Sequence, residues 1–196
     1  MVEEIEATVR RITAERERFE RFCRSLSAEE LQRPVPCSSW IVKDFISHLA
    51  TIDGPVAAWF AAIADGSGTR SGGQSGRGAW DVDRFNDAKV AERRGRSLDE
   101  IFAEAARERA ALIDVLRRLT AEQLAAPIHF GGDSKRPPAE LALGRYLQGW
   151  SRHDAIHVAD MLKALPERRG DPDVAAWLAE PEVAAIVGTY QQAMAR

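Results

Sequence analysis

Sliding this 196-residue chain by 93 positions lays one half over the other: Ile5 falls on Leu98, Glu15 on Glu108, Arg16 on Arg109, Phe19 on Leu112, Arg24 on Arg117, Leu26 on Leu119 and Pro34 on Pro127. In the first copy Val2, Ile5, Val9, Ile12, Phe19, Cys23 and Leu26 recur at alternating spacings of three and four, the mark of a helix with one buried face. A helix over 98–119 repeats it. Each is followed by a capping-box pattern, Ser27-Ala28-Glu29-Glu30-Leu31 and Thr120-Ala121-Glu122-Gln123-Leu124. In such a box the hydroxyl accepts from the backbone and the third residue returns the bond. Prolines 34, 36 and 127 then stop the short turns. Two copies of one hairpin predict an all-α chain, a pseudo-twofold four-helix bundle.

The remaining long helices are expected over 39–64 and 139–165. The first places Ile41, Phe45, His48, Ile52, Val56 and Trp59 on one stripe, with Gly54-Pro55 as a point of kinking or division. The second aligns Leu143, Tyr146, Trp150, His153, His157 and Met161. Residues 65–78 hold six of the fourteen glycines, so a flexible loop is expected over 65–80. It is not a phosphate loop, since no strand precedes it and no Gly-Lys-Ser/Thr closes it. No segment alternates with β-branched residues between hairpin turns, and no sheet is expected. Asp171-Pro172-Asp173 and Glu180-Pro181 suit helix starts, predicting two short C-terminal helices over the open end of the bundle. The organisation expected is thus a bundle over 1–165 and an extension of the same domain over 166–196.

A content of 45% hydrophobic residues with mixed charge supports one globular core. A net charge of -3 and a pI of about 5.9 offer no electrostatic reason to expect a nucleic-acid partner. No apolar run is expected to approach the roughly 20 residues that cross a bilayer. The acidic Met1-Val2-Glu3-Glu4 start does not read as a secretion signal, and the expected location is cytoplasmic. Cys23 and Cys37 have neither metal-ligand spacing nor a disulfide framework and are expected as reduced thiols.

Three of the four histidines face one interior on this reading. His153 and His157 stand one turn apart, and His48 lies on the apolar stripe of another helix. Three inward neutral imidazoles would be costly to desolvate without a partner, and together they point to a divalent metal. Zinc is favoured by three neutral nitrogens, with nickel or iron also fitting. The competing reading of each histidine is a hydrogen-bonded core residue. His129, beside Gly131-Gly132, is expected to be exposed and outside the site. Asp44, one turn before His48, is a candidate to orient its imidazole, or else an acid favouring the start of its helix. Asp154 and Asp160 lie off the His153 stripe and are expected to be solvated. Arg16 and Arg109 interrupt apolar stripes at duplicated positions. They are candidates to bind an anionic ligand, against the alternative of rim arginines paired with acids.

The run from Pro36 to Ala50, Pro-Cys-Ser-Ser-Trp-Ile-Val-Lys-Asp-Phe-Ile-Ser-His-Leu-Ala, resembles the Pro-x-x-x-Trp-x-Val-x-Asp-x-x-x-His-Leu segment of the DinB-like superfamily. In particular it is similar to the mycothiol-dependent maleylpyruvate isomerase N-terminal branch. His153 to Asp160 resembles the second motif of that superfamily, and Arg84-Phe85-Asn86 through Arg94 its link into the third helix. The resemblance spans about residues 1 to 165 and implies a bundle binding a divalent metal through His48, His153 and His157. It further implies a low-molecular-weight thiol, of mycothiol or bacillithiol type, as co-substrate, and a homodimer. Three departures stand out. His153 occupies a position where the isomerase branch usually has a carboxylate, which brings the triad closer to the DinB and bacillithiol-transferase type. Ile41 replaces the usual Ser or Thr cap, leaving Ser38 or Ser39 to cap the second long helix. The separate C-terminal domain of full isomerases has no counterpart in these residues.

The leading expectation is a metal-dependent S-transferase or isomerase in which the ion activates a thiol toward an electrophilic small molecule; the catalytic residues stay unassigned. The alternatives are a metal-dependent hydrolase with Asp44 as general base, and a non-enzymatic metal- or ligand-binding dimeric bundle.

Overall fold

The structure is a computed structural model and describes residues 2–67, 71–72, 82–130 and 138–194. In chain order its elements are α1 (Val2–Arg24), α2 (Ala28–Leu31), α3 (Val42–Thr51), α4 (Asp53–Ala64), β1 (Ser71–Gly72), α5 (Val82–Ala91), α6 (Leu98–Leu116), α7 (Ala121–Ala125), β2 (Pro127–Phe130), β3 (Ala139–Ala142), α8 (Leu143–Trp150), α9 (His153–Met161), α10 (Pro172–Leu178) and α11 (Pro181–Met194), with a 3-10 turn over Pro166–Gly170 before α10. The fold is all-α in class.

The helical periodicity of the two copies carries directly into α1 and α6. Ile5, Val9, Ile12, Phe19, Cys23 and Leu26 are all buried, as are Ile101, Ala105, Leu112 and Leu116. Both capping boxes form, Ser27 with Glu30 and Thr120 with Gln123. Ser97 and Glu100 make a third at the start of α6. The duplication extends further: Pro34 pairs with Ile41 in an isolated antiparallel bridge just before α3, and Pro127 pairs with Ala142 just before α8.

In the second copy that bridge widens into a β2–β3 hairpin, to which β1 adds in parallel through Ser71 and His129. This three-stranded sheet corrects the expectation of none. Strands of two to four residues are too short to display a period of two, and β3 reads Ala-Glu-Leu-Ala, without β-branched residues. The flexible loop expected over 65–80 falls largely outside the described residues.

The second helix of each copy is broken. A continuous helix over 39–64 is replaced by α3 and α4, which meet at Ile52. Pro55 has no N–H for the Thr51 carbonyl, so the break precedes Gly54-Pro55. The start also differs, because the Pro34–Ile41 bridge holds the chain extended up to Val42. Neither Ser38 nor Ser39 caps α3; Asp44 Oδ2 accepts from the Ile41 N–H at 3.2 Å, while Ser38 Oγ accepts from Trp40 N–H at 3.1 Å. The helix expected over 139–165 becomes β3, α8 and α9, broken at Ser151-Arg152 without any proline. Here Ser151 Oγ and Arg152 Nη1 each donate to the Gln148 carbonyl at 2.8 Å. That oxygen is the helical acceptor for Arg152 N–H, which turns instead to Gly149 O at 3.1 Å.

The interior forms two apolar clusters. One gathers Phe19, Phe45, Leu49, Phe102, Val158 and Trp177; the other gathers Ile12, Val56, Phe60, Leu112, Ile128 and Leu143. Between them lies a seam of four buried charges, Arg16, Asp53, Arg109 and Asp154. The stretch Val42–Ala64 has the length and composition of a bilayer span, contrary to expectation, but 67% of its most apolar window is buried and α3 and α4 pack on α6 as core. At the C-terminus Asp171 caps α10, which inserts Trp177 into the first cluster, and α11 packs on α9. Trp177 Nε1 donates to the buried Glu15 carboxylate at 2.9 Å.

Candidate metal centre

His48 lies on the buried face of α3, and the break at Ser151-Arg152 makes His153 the first residue of α9, with His157 one turn on. The three rings converge. Their centroids are separated by 5.5 Å (His48 to His153), 4.9 Å (His48 to His157) and 4.5 Å (His153 to His157). One ring nitrogen from each lies within 4.8 Å of the others. Nε2 of His153 and Nε2 of His157 are 3.1 Å apart. Two nitrogens bound tetrahedrally to one ion at about 2.0–2.1 Å stand about 3.4 Å apart, so this pair has the spacing a shared ion requires. Among the described residues, these three form the cluster with metal-ligating geometry.

The walls around the rings are aromatic. Trp150 stacks on His153 at 4.6 Å and 16°. Trp40 lies 5.3 Å from His48, Phe45 lies 5.6 Å from His157, and Tyr190 of α11 approaches His157 at 6.3 Å. His48 and His157 are buried, whereas His153 is half-buried and gives the site its opening.

Asp160 and Asp154 are not solvated, as the stripe had suggested; both are buried. Residues 154–161 of α9 are all buried, so this helix is enclosed on every side and the faces off the His153 stripe are interior as well. Asp160 Oδ2 stands 3.4 Å from His157 Nδ1, longer than a formed hydrogen bond, and Oδ1 accepts from Lys163 at 2.6 Å. Burial opposes ionisation of Asp160, but His157 and Lys163 outweigh it and hold the carboxyl below its ordinary range. An acid against the far nitrogen of a ligand imidazole fixes its tautomer and raises its basicity. The signal for Asp160 was its i,i+3 spacing from His157.

Asp44 is buried, with its carboxylate engaged by the Ile41 N–H and by Arg94 at 2.9 and 3.2 Å, an arrangement that serves the start of α3. Arg16 and Arg109 are buried too, with their guanidinium groups engaged by Asp154 and Asp53 inside the protein. Burial disfavours the charge on Asp154, yet Arg16 and Arg109 hold its carboxyl below the usual value. His129 sits on β2 beside Glu140, away from the three rings, 42% exposed and 2.9 Å from that carboxylate. Cys23 is wholly buried and its thiol is pushed well up by burial; Cys37 is exposed in the turn before α3, with φ 62°.

A family model described as the mycothiol maleylpyruvate isomerase N-terminal domain matches residues 12–156. No curated protein matches the chain. Among solved structures, a histidine-to-alanine mutant of the mycothiol-dependent maleylpyruvate isomerase is similar in fold, with a TM-score of 0.59 and 12% sequence identity over 80% of this chain. The chain covers 60% of that structure's length.

Proposed function

The chain belongs to the mycothiol maleylpyruvate isomerase N-terminal domain family, and from that premise we propose that it is a divalent-metal protein using a low-molecular-weight thiol in an S-transfer or isomerisation reaction. The convergence of the His48, His153 and His157 ring nitrogens within 4.8 Å carries the reading. These residues would supply three neutral nitrogen donors, a set that suits zinc, with nickel or iron as alternatives. A divalent ion held there supplies Lewis acidity, lowering the pKa of a thiol so that the nucleophilic form is present near neutral pH. Asp160 faces His157 Nδ1 at 3.4 Å, where its charge favours a proton on that nitrogen, and the stacked Trp150 limits rotation of His153. Trp40, Phe45 and Tyr190 supply apolar walls that keep bulk water from the reacting sulfur.

Neither protein cysteine is suited to the nucleophile's role, since burial keeps Cys23 protonated and Cys37 lies on an exposed turn before α3. A hydrolase would need a general base, and Asp44 is already engaged by the α3 backbone and Arg94. The homodimer and cytoplasmic location expected with the family belong to this same reading.

Elemental analysis of the purified chain should find about one divalent ion per protein, lost in His157→Ala. On the cobalt-substituted protein, a panel of thiols that includes mycothiol and bacillithiol should give a thiolate charge-transfer band. An ion without thiol binding removes the transferase reading. No bound ion, with no affinity for added zinc or nickel, removes the metal centre itself.

A further inference from the structure

Four buried charges that the proposed centre does not use alternate across the seam between the two apolar clusters. Arg16 Nε and Nη2 donate to the two oxygens of Asp154 at 2.7 and 3.1 Å, and Arg109 Nε donates to Asp53 Oδ2 at 2.6 Å. The diagonals are longer, 3.7 Å from Arg16 to Asp53 and 3.6 Å from Arg109 to Asp154. The tetrad follows the duplication. The arginines are 93 positions apart and the aspartates 101, and each aspartate lies in the first turn of the segment after a helix break. A carboxylate is favoured there by the helix dipole.

The two arginines differ in what they reach. Beyond Asp154, Arg16 Nη2 donates to the Leu49 carbonyl at 3.2 Å. Asp154 directly follows His153 on α9, and Leu49 directly follows His48 on α3. One guanidinium therefore grips the residue next to a candidate ligand on each of two helices. Arg109 hydrogen-bonds Asp53 on α4 and, through Nη1 at 2.8 Å, the Ile12 carbonyl on α1, while its approach to Asp154 stays at 3.6 Å, beyond hydrogen-bond distance. Neither of those helices carries a histidine.

We propose that Arg16 and Asp154 are positioning residues of the metal centre, setting the separation and rotation of α3 and α9 so that His48 and His153 present their nitrogens to one ion. The inference rests on the metal reading above. A buried pair of this kind adds little net stability over apolar residues of equal volume. Its planar, two-point geometry does fix direction, and a ligand set loses affinity when the groups that aim it are removed.

The duplication provides the control. Arg16→Met with Asp154→Asn removes one pair without stranding a charge, and Arg109→Met with Asp53→Asn removes its counterpart at the same depth. Zinc affinity by competition with a chromophoric chelator, and the ligand-field spectrum with cobalt, are read on each full-length variant. The first pair should bind zinc about 10- to 100-fold more weakly with an altered cobalt spectrum; the second should keep wild-type affinity and spectrum despite a comparable loss of stability. Equal losses in both, or none in the first, overturn the positioning role and leave the metal reading intact. A wild-type chain with no zinc affinity overturns both. Should the first double variant fail to fold, Arg16→Lys keeps the charge but loses the two-point grip, and unchanged zinc affinity there also overturns the proposal.

Discussion

Asp160 shows how much of the proposed metal centre lies one layer behind the three histidines. Its carboxylate, 3.4 Å from His157 Nδ1 and bound on its other oxygen by Lys163, faces the nitrogen opposite the convergent one. Asp160→Asn should weaken zinc binding about 10-fold in a competition titration, because an amide oxygen raises imidazole basicity less than a carboxylate. Unchanged affinity would mean that this carboxylate does not tune His157. The three histidines were readable because each sits on an apolar stripe where an imidazole is unexpected. Asp154 and Asp160 differ from expectation for one reason: α9 is buried all round from Asp154 to Met161, so lying off the histidine stripe does not bring a residue to solvent. The duplicated arginines did hold a clue. Two guanidinium groups on buried faces require acids, and Asp53 and Asp154 sit within the apolar segments that pack against them.

At the scale of elements, the capping boxes and helix faces could be read from local chemistry, because their partners lie three or four residues away. The small sheet could not, since β2 pairs with β3 nine or more residues on and with the distant β1. Glu30 joins both kinds of interaction: it closes the α2 capping box and accepts from Arg168 Nε and Nη2 at 2.6 and 2.8 Å. The Arg168 hydrogen bonds outweigh desolvation and lower its carboxyl to about 2. A folded-state value below the ordinary 4.5 means the stabilisation is full above that pH and is lost as pH falls through about 2. Glu30→Gln should therefore cost about 1 kcal/mol at pH 7, most of the electrostatic effect being screened near the surface. Urea titrations of both proteins should show the gap shrinking toward pH 2; a gap independent of pH would mean the charge on Glu30 does not matter. Glu15, whose carboxyl burial pushes up, acts in the opposite sense: its charge is a cost that protonation relieves as the solution becomes acidic.

Across the whole molecule, the C-terminal residues beyond the family match supply Trp177 and Val183 to one core cluster and Tyr190 to the wall of the three-histidine cluster. The pseudo-twofold plan could be anticipated from the shift of 93, but the crossed pairing inside it could not. The close contacts, Arg16 with Asp154 and Arg109 with Asp53, run between copies rather than within them. Taken alone, the 1–67 and 82–196 segments should thus each unfold without a cooperative transition in urea followed by circular dichroism, since each would hold an arginine and an aspartate in apolar surroundings without their best partners. A sharp transition from either half would refute this. The crossing makes the repeat a mutual dependence: each hairpin carries the counter-ion its twin needs, so neither is a separable module, and a charge lost from one is felt as a defect in the other.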